Sequence, residues 1–485
     1  MGIRTHRVNV DLLSTVTSLI FLCFLVRKGK ECSAAAAASL PNHYMLQSSS
    51  LVPSTSDVCN PTSQGAGAGA GAGPRNGTSL VLVHKHGPCS QLARPNPAAP
   101  STATEILARD QSRVDSIQSR LSKTYRQPDQ STSIPANSGL TIGSGNYIVT
   151  VGLGTPKKNL SLIFDTGSGL TWTQCLPCKS CYKQKDPIFE PAKSTSYSKL
   201  ACNSTLCSLI ANSTTLSSNC SDPTCAYAML YGDLSYSVGF SGQDKLSLTP
   251  SDVFDGFLFG CGQENEGHFG GTAGLLGLSR DQASFVSQTA AKYGKFFSYC
   301  LPSTPSSAGF LKFGNTGVSP ATKFTPLLTP GSSFYHLEMN AISVAGKALP
   351  IPATVFSSAG IIDSGTVISR IPPAAYDALK AEFRRQMSKY PLTGALSILD
   401  TCYDLSKSKD VTLPKISLFF RGGVEVGVNP GGILYANNAT QSCLAFAGNR
   451  DDDDIIIFGN RQQLTVEVVH DVGQGRIGFR PGGCS

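Results

Sequence analysis

The stretch LIFDTGSGLTW, Leu162–Trp172, sets a carboxylate directly behind an apolar run. A carboxylate taken out of water is costly unless something hydrogen-bonds it. Asp165 is therefore either a turn residue with satisfied oxygens or an acid held in a shielded place for chemistry. The second half of the chain repeats the arrangement. IIDSGT, 361–366, brings an Asp 198 residues after the first, again with an apolar pair before it and hydroxyl, Gly, hydroxyl behind it. The echo continues downstream, where AGLLGL with Gly277 follows Asp165 and IIIFGN with Gly459 follows Asp363. Each half reads as a strand, an Asp loop, a long β region and an apolar run ending in Gly, which is the pattern of a duplicated lobe.

The surrounding texture is that of strands. Short alternating or apolar runs (NYIVTVGLG, NLSLIFD, FLFGCG, HLEMNAISV, ISLFF, LTVEVVH) recur between Gly, Ser and Pro turns from about residue 140 onward. With 48 Gly and only 15% charged residues in 485, the chain suits an all-β protein with a few short helices. VGLGTP is read as a hairpin, because no Gly-Lys-Ser/Thr follows to make a phosphate loop. After Pro372-Pro373, AYDALKAEFRRQM predicts a helix with Tyr376, Leu379, Phe383 and Met387 on one buried face.

The N-terminal quarter differs. Residues 1–139 hold 13 Lys/Arg against 7 Asp/Glu, leaving 27 against 25 in the remainder, so the net charge of +8 lies mostly in this segment. The main body is near neutral and gives no case for nucleic acid. Arg4, His6 and Arg7, the apolar run Leu12 to Val26 and the Ala-rich Ser33 to Ser39 read as a signal peptide over 1–38. Arg27, Lys28 and Lys30 keep an anchor or a plastid transit peptide open. Residues 39–138, with GAGAGAGAG at 65–73, the strand-like SLVLVHKH and the amphipathic TEILARDQSRVDSIQSRLSK, read as a propeptide that packs on something else. In that helix Leu107, Val114 and Leu121 fall seven apart, with Ile106 and Ile117 beside them. His84, His86 and Cys89 are read as packing residues and not as a metal site, and Asp451–Asp454 as a charged loop tip.

Twelve of the 16 cysteines run from Cys175 to Cys484, and an even count in a secretory context reads as six disulfides. A zinc site on Cys175, Cys178 and Cys181 lacks a second CxxC or a His pair. Asn76, Asn203, Asn212, Asn219 and Asn438 are candidate glycosylation sites; Asn159 also fits the motif but lies close to a strand.

Paired Asp motifs, Tyr231-Gly232, both glycine runs and the cysteine order together resemble the pepsin-type aspartic proteases of the plant nepenthesin-like branch. The set nearest in pattern includes the chloroplast-nucleoid DNA-binding aspartic protease. The match covers about 140–485, and LVLVHKHGPCS resembles the prosegment of that set. The resemblance implies a bilobal double β-barrel with the active site in the interlobe cleft. It places the N-terminal lobe, with a Cys-rich insertion and a flap, at 139–330 and the C-terminal lobe at 331–485. Its activity would be that of an aspartic endopeptidase made as a zymogen, acting on extended polypeptides at acid pH. No cofactor or metal is implied, and the protein would be a secreted or vacuolar monomer.

Two nearby carboxylates cannot both ionise easily and so share a proton, which lets one act as base on a water and the other as acid on the scissile carbonyl. By resemblance, Asp165 and Asp363 form that pair. Gly167 and Gly365 let the backbone turn tightly and keep the carboxyls close. Ser168 and Thr366 hold the outer carboxylate oxygens, while Thr166 and Ser364 reach across to lock the loops in register. Ser364 stands where most relatives have Thr, and Gly169 where plant relatives usually have Asp. Tyr231 would be the flap tyrosine, hydrogen-bonded toward Trp172, with Gly232 supplying mobility. The implied disulfides are Cys175–Cys178, Cys181–Cys261, Cys202–Cys225, Cys207–Cys220, Cys300–Cys484 and Cys402–Cys443. Two alternatives remain at this stage, a non-catalytic binder like the plant xylanase inhibitors and a plastid nucleoid protease that binds DNA.

Overall fold

In the computed structural model, residues 42–50, 59, 77–85, 87–92, 102–125, 147–214, 220, 223–231, 234–328 and 332–484 are described. The expected signal segment, the Gly-Ala repeat, Asn76, His86, Asn219 and Gly232 lie outside them, as does the side chain of Asn212.

VGLGTP does form a hairpin. Tyr147–Leu153 pairs antiparallel with Lys158–Asp165 up to Leu153↔Lys158, and Gly154 takes a φ of 82° at the turn, a conformation that costs glycine least. Lys158–Asp165 then delivers Asp165 at its last position, buried throughout from Leu160. Its other edge is covered by Gly274–Gly277, which runs parallel with Gly277 opposite Asp165. The second half repeats this. Gly360–Ile362 leads to Asp363 and is covered in parallel by Ile457–Phe458, just before Gly459. The four apolar-then-Asp and apolar-then-Gly runs seen in the sequence are thus two pairs of adjacent parallel strands, each paired with the partner its own half supplies.

A 14-stranded sheet joins the halves. Its path enters the N-terminal lobe through Tyr147–Leu153 and returns through Ala308–Phe313 and Phe296–Cys300 to the chain's last strands, Glu467–Asp471 and Arg476–Arg480. Cys300 is bonded to Cys484 at this junction. The C-terminal lobe adds one five-stranded and two four-stranded sheets. One apolar cluster runs continuously from Phe164 through Phe297 and Tyr335 to Phe458, so both lobes rest on a single core. The predicted helix lies at Pro373–Gln386 and buries Tyr376, Leu379 and Phe383, with Met387 capping it. The fold is bilobal and mostly strand, as expected.

The N-terminal segment is built into this framework. Thr78–His84 lies between Ala308–Phe313 and Tyr147–Leu153 and points Leu80 and Leu82 into the shared core. His43–Gln47 pairs with Asp410–Pro414 of the C-terminal lobe. Cys59 is bonded to Cys89, a pair that the sequence reading did not supply. Helix α1, Ala103–Tyr125, starts one residue before the predicted span. Thr102 and Glu105 cap it reciprocally, backbone N–H of each to the side chain of the other, at 3.0 and 3.2 Å. No helix among the described residues is long and apolar enough to cross a membrane.

Four of the expected cysteine pairings are corrected. Cys175 is bonded to Cys261, Cys178 to Cys181, Cys202 to Cys220 and Cys207 to Cys225. Strand register decides the first. Trp172–Gln174 runs parallel to Val253–Glu266 with Thr173 opposite Cys261, which leaves Cys175 beside Cys261 and frees Cys178 for Cys181. Burial separates the other four. Cys207 and Cys225 both lie in the apolar cluster that includes Trp172 and Tyr231, whereas Cys202 and Cys220 are nearer the surface. Cys402 is bonded to Cys443, its cross-strand neighbour.

Candidate active site

The two Asp loops meet at the lobe interface with near-twofold symmetry. Gly167 N–H donates to Asp165 Oδ1 at 3.0 Å, and Gly365 N–H to Asp363 Oδ1 at 3.2 Å. The outer oxygens are held by hydroxyls, Ser168 Oγ on Asp165 Oδ2 and Thr366 Oγ1 on Asp363 Oδ2. Across the interface Ser364 N–H donates to Thr166 Oγ1 at 2.9 Å and Thr166 N–H to Ser364 Oγ at 3.1 Å. These exchanges satisfy buried donors, which would otherwise cost about 1–3 kcal/mol each. Every one of these side chains is buried.

The two glycines are needed for a reason other than the expected tight turn. Neither adopts a positive φ. A Cβ at Gly167 would come within 2.8 Å of Asp363 Oδ1, and one at Gly365 within 2.6 Å of Asp165 Oδ1. Each glycine leaves the space in which the opposite carboxylate and the Arg113 guanidinium lie, with Arg113 Nη2 nearer still, at 2.7 Å from a Cβ at Gly167 and 2.3 Å from one at Gly365.

Between the inner oxygens lies a residue the sequence reading passed over. Arg113, from the middle of α1, donates through Nη2 to Asp165 Oδ1 at 2.9 Å and to Asp363 Oδ1 at 2.8 Å, and through Nε to Asp363 Oδ2 at 2.9 Å. It is fully buried, and its Nη1 has no hydrogen-bond partner. Burial pulls the guanidinium's pKa down, but the two carboxylates outweigh it and hold the group above its ordinary value. Asp165 is pushed up, first by burial and then by the like charge of Asp363, against the pull of Arg113. One turn earlier on the same helix, Asp110 is buried against Val367, Ile368 and Arg370.

A signal for both charges was present in the sequence. The buried face of α1 runs Leu107, Asp110, Val114, Ile117, Leu121, with Arg113 beside it. Ionisable residues on an apolar face are almost never fully buried unless paired. Asp110 and Arg113 therefore pointed to partners elsewhere in the chain, though not to which ones.

On the flap side, Ala226–Leu230 and Tyr236–Ser247 form a hairpin closed by Leu230↔Tyr236. Tyr231 opens the loop that joins them, buried, and Trp172 Nε1–H donates to its hydroxyl at 2.5 Å. Phe269 packs edge-on against both rings. At the hairpin's tip Leu234 is exposed with a φ of 65°. Gly169 leaves room that the carboxylate of Asp281 fills, since a Cβ there would lie 2.8 Å from the Asp281 Cβ. The Asp281 carboxyl therefore stands at this rim although position 169 itself lacks an acid.

The remaining candidates lie elsewhere. Asn203 and Asn438 are exposed, and Asp451–Asp454 forms a turn whose Asp454 accepts from the Arg450 and Asp451 N–H groups. His84 is half-buried and edge-on to Tyr147, its pKa lowered to about 3 by desolvation and by the charges of Lys85 and Arg461.

Known proteins resemble the chain in family and in fold. The family description "Xylanase inhibitor N-terminal" matches residues 147–315 and "Xylanase inhibitor C-terminal" matches 334–481. An aspartyl protease family protein of Arabidopsis thaliana is 51% identical over 99% of this chain and 100% of its own length. The aspartic proteinase nepenthesin-2 of Nepenthes gracilis is 34% identical over 70% of this chain and 78% of its own. Among solved structures, basic 7S globulin from soybean shares the fold at a TM-score of 0.56 and 21% identity, covering 70% of this chain and 92% of that one.

Proposed function

This chain belongs to the pepsin-type aspartic proteases of plants, and from that premise we propose that it is an acid endopeptidase made as an inactive precursor, with Asp165 and Asp363 as its catalytic pair. The observation that carries the reading is the meeting of the two inner oxygens on one donor, Arg113 Nη2. A group lying between both carboxylates occupies the place where an attacking water would bridge them. With α1 withdrawn, the ionised carboxylate takes a proton from that water while the protonated one donates to the scissile carbonyl. The pair titrates as a unit, so neither Asp is assigned the base in the free state.

The same contact supports the precursor. Residues 39–138 are read as the propeptide, 1–38 as a removed signal peptide, and 139–330 and 331–485 as the two catalytic lobes. Arg113 cannot lose its proton in the working range. As pH falls, Asp165 takes up a proton above the ordinary aspartate range because its pKa is raised. The buried guanidinium then loses a counter-charge, and an uncompensated buried charge is strongly destabilising. Acid thus weakens the hold of α1, and the cleft opens to an extended polypeptide under the Tyr231 flap. The seven disulfides among the described residues suit an oxidising compartment, either secreted or vacuolar.

The test is acid incubation of the purified full chain with a protein substrate. Wild type should shorten itself and cut the substrate, whereas Asp165→Asn and Asp363→Asn should each lose activity by about 10³-fold or more. Undiminished cleavage in either variant would remove the dyad assignment. A binder on this fold, the reading favoured by the xylanase-inhibitor family description, would leave the substrate intact in all three.

A further inference from the structure

Helix α1 carries two buried charges, and only Arg113 is accounted for by the dyad. The other, Asp110, enters a second polar site that begins at Val367, four residues after Asp363. Its Oδ1 accepts from Val367 N–H at 2.6 Å, and its Oδ2 accepts from Ile368 N–H at 3.1 Å and from Arg370 Nη2 at 3.1 Å. Gln111 Oε1 accepts from the same Nη2 at 3.2 Å.

This site belongs to the lobe and not to the helix. Arg370 Nη1 donates to the carbonyl of its own loop, Ile368 O, at 2.6 Å, so the guanidinium is oriented without α1. The strand that carries it, Ser369–Ile371, is held between Phe446–Gly448 and Ile457. Arg370 is 1% exposed, and its Nε has no partner. Withdrawal of α1 therefore leaves two backbone N–H groups and a fixed positive charge pointing at the vacated position. A buried charge stripped of its partner is costly, and a carboxylate is the group that restores the balance.

We infer that Val367 N–H, Ile368 N–H and the Arg370 guanidinium form a specificity site that takes an Asp or Glu side chain of the substrate, with Asp110 as its stand-in in the precursor. The inference rests on the protease reading above. Asp110 and Arg113 are three residues apart on one helix face, about 5–6 Å between side-chain roots. An extended chain advances about 3.3 Å per residue. The acidic residue therefore lies within two or three positions of the bond that is cut.

The experiment walks Glu, Gln, Ala or Lys through the three positions on each side of the scissile bond of one cleaved peptide. Cleavage by the acid-processed protein is measured near pH 5, where Glu is mostly ionised. At one position Glu should exceed Gln about tenfold in kcat/KM, the worth of one charge-assisted contact. Arg370→Gln should bring that ratio within about twofold, and Arg370→Lys should restore part of it. A ratio near one at every position, or an unaltered ratio in Arg370→Gln, overturns the inference.

Two further measurements do not depend on the folding of an Arg370 variant, and the first does not depend on turnover. Fluorescence anisotropy of the same peptides on Asp165→Asn protein, cut free of α1 by an added protease, should show the same Glu preference in binding. If wild type cuts no peptide while this preference holds, the protease reading fails and the site stands. Cleavage with no Glu preference removes the site alone. A synthetic 103–125 peptide should inhibit the processed wild type about tenfold better than its Asp110→Asn form. Equal inhibition also overturns the inference.

Discussion

The two Asp loops are alike in their backbone and unlike in what they offer α1. Both hold the carboxylate by the same set of donors, the following glycine N–H and a hydroxyl three residues on. Beyond that the helix treats them differently. The N-terminal loop gives it one contact, Asp165. The C-terminal loop gives Asp363, Thr366, Val367 N–H, Ile368 N–H and Arg370. The apolar face follows the same side. Val114, Ile117 and Leu121 pack with Phe334, Ile361, Ile455 and Ile457, and Leu107 packs with Val367, Ile368 and Leu399. Gln118 adds a two-way pair with the backbone of Ile455. Duplication built a symmetric dyad, and an asymmetric partner covers it. The C-terminal lobe docks the helix, while the N-terminal lobe contributes a carboxylate and the hairpin that leads to Tyr231.

The largest effect that sharpens this comparison should come from the symmetric part. Gly167→Ala and Gly365→Ala should each displace the opposite carboxylate, costing about 1–3 kcal/mol in packing and about a hundredfold in kcat, since a misplacement of about 1 Å in a site has that effect. Equal losses from the two substitutions are expected, and a loss confined to one lobe would break the symmetry. Peptide hydrolysis and thermal melting measure both quantities.

Next come the hydroxyls that join the loops. Thr166→Val and Ser364→Ala each leave a buried backbone N–H without its acceptor, and each should lower stability by about 1–3 kcal/mol in thermal or denaturant unfolding. Unequal costs would mean that one loop, not the pair, carries the register.

The asymmetric part gives the smallest shift. Without Arg113, Asp165 loses the cation that opposes its raised pKa, and α1 loses its hold on that carboxylate. Arg113→Ala should therefore move the onset of self-shortening to higher pH, by about one unit if one contact of about 1.4 kcal/mol is lost. Arg113→Lys should fall between, because a single ammonium cannot repeat the forked contact. Gel analysis after incubation across pH measures the midpoint, and an unmoved midpoint would show that the apolar face alone retains the helix.

Some of this was legible before the structure. Asp165 and Asp363, their glycines and their hydroxyls could be found because the donors that hold each carboxylate lie within three residues of it along the chain. The role of Gly167 and Gly365 was misread in part, because the chain alone does not show that the opposing carboxylate comes from the other half. The α1 helix could be seen from its apolar repeat, yet Asp110 and Arg113 were passed over because their partners are 250 or more residues away, Asp165 excepted. Cys300–Cys484 and Cys402–Cys443 are paired as expected, but the other four pairings failed, since Cys175 meets Cys261 through strand register and not through spacing.

By itself, the sequence determined the doubled motif, the strand-rich texture and the set of groups that can hold two carboxylates. Those are consequences of short-range hydrogen bonding and of the alternation that burial imposes. The tertiary structure alone decided which sulfurs meet, why each loop needs a glycine, and that an arginine from a separate helix lies between two acids. These depend on register and on surfaces brought together across the fold, where the cost of an unpaired buried charge selects the partner.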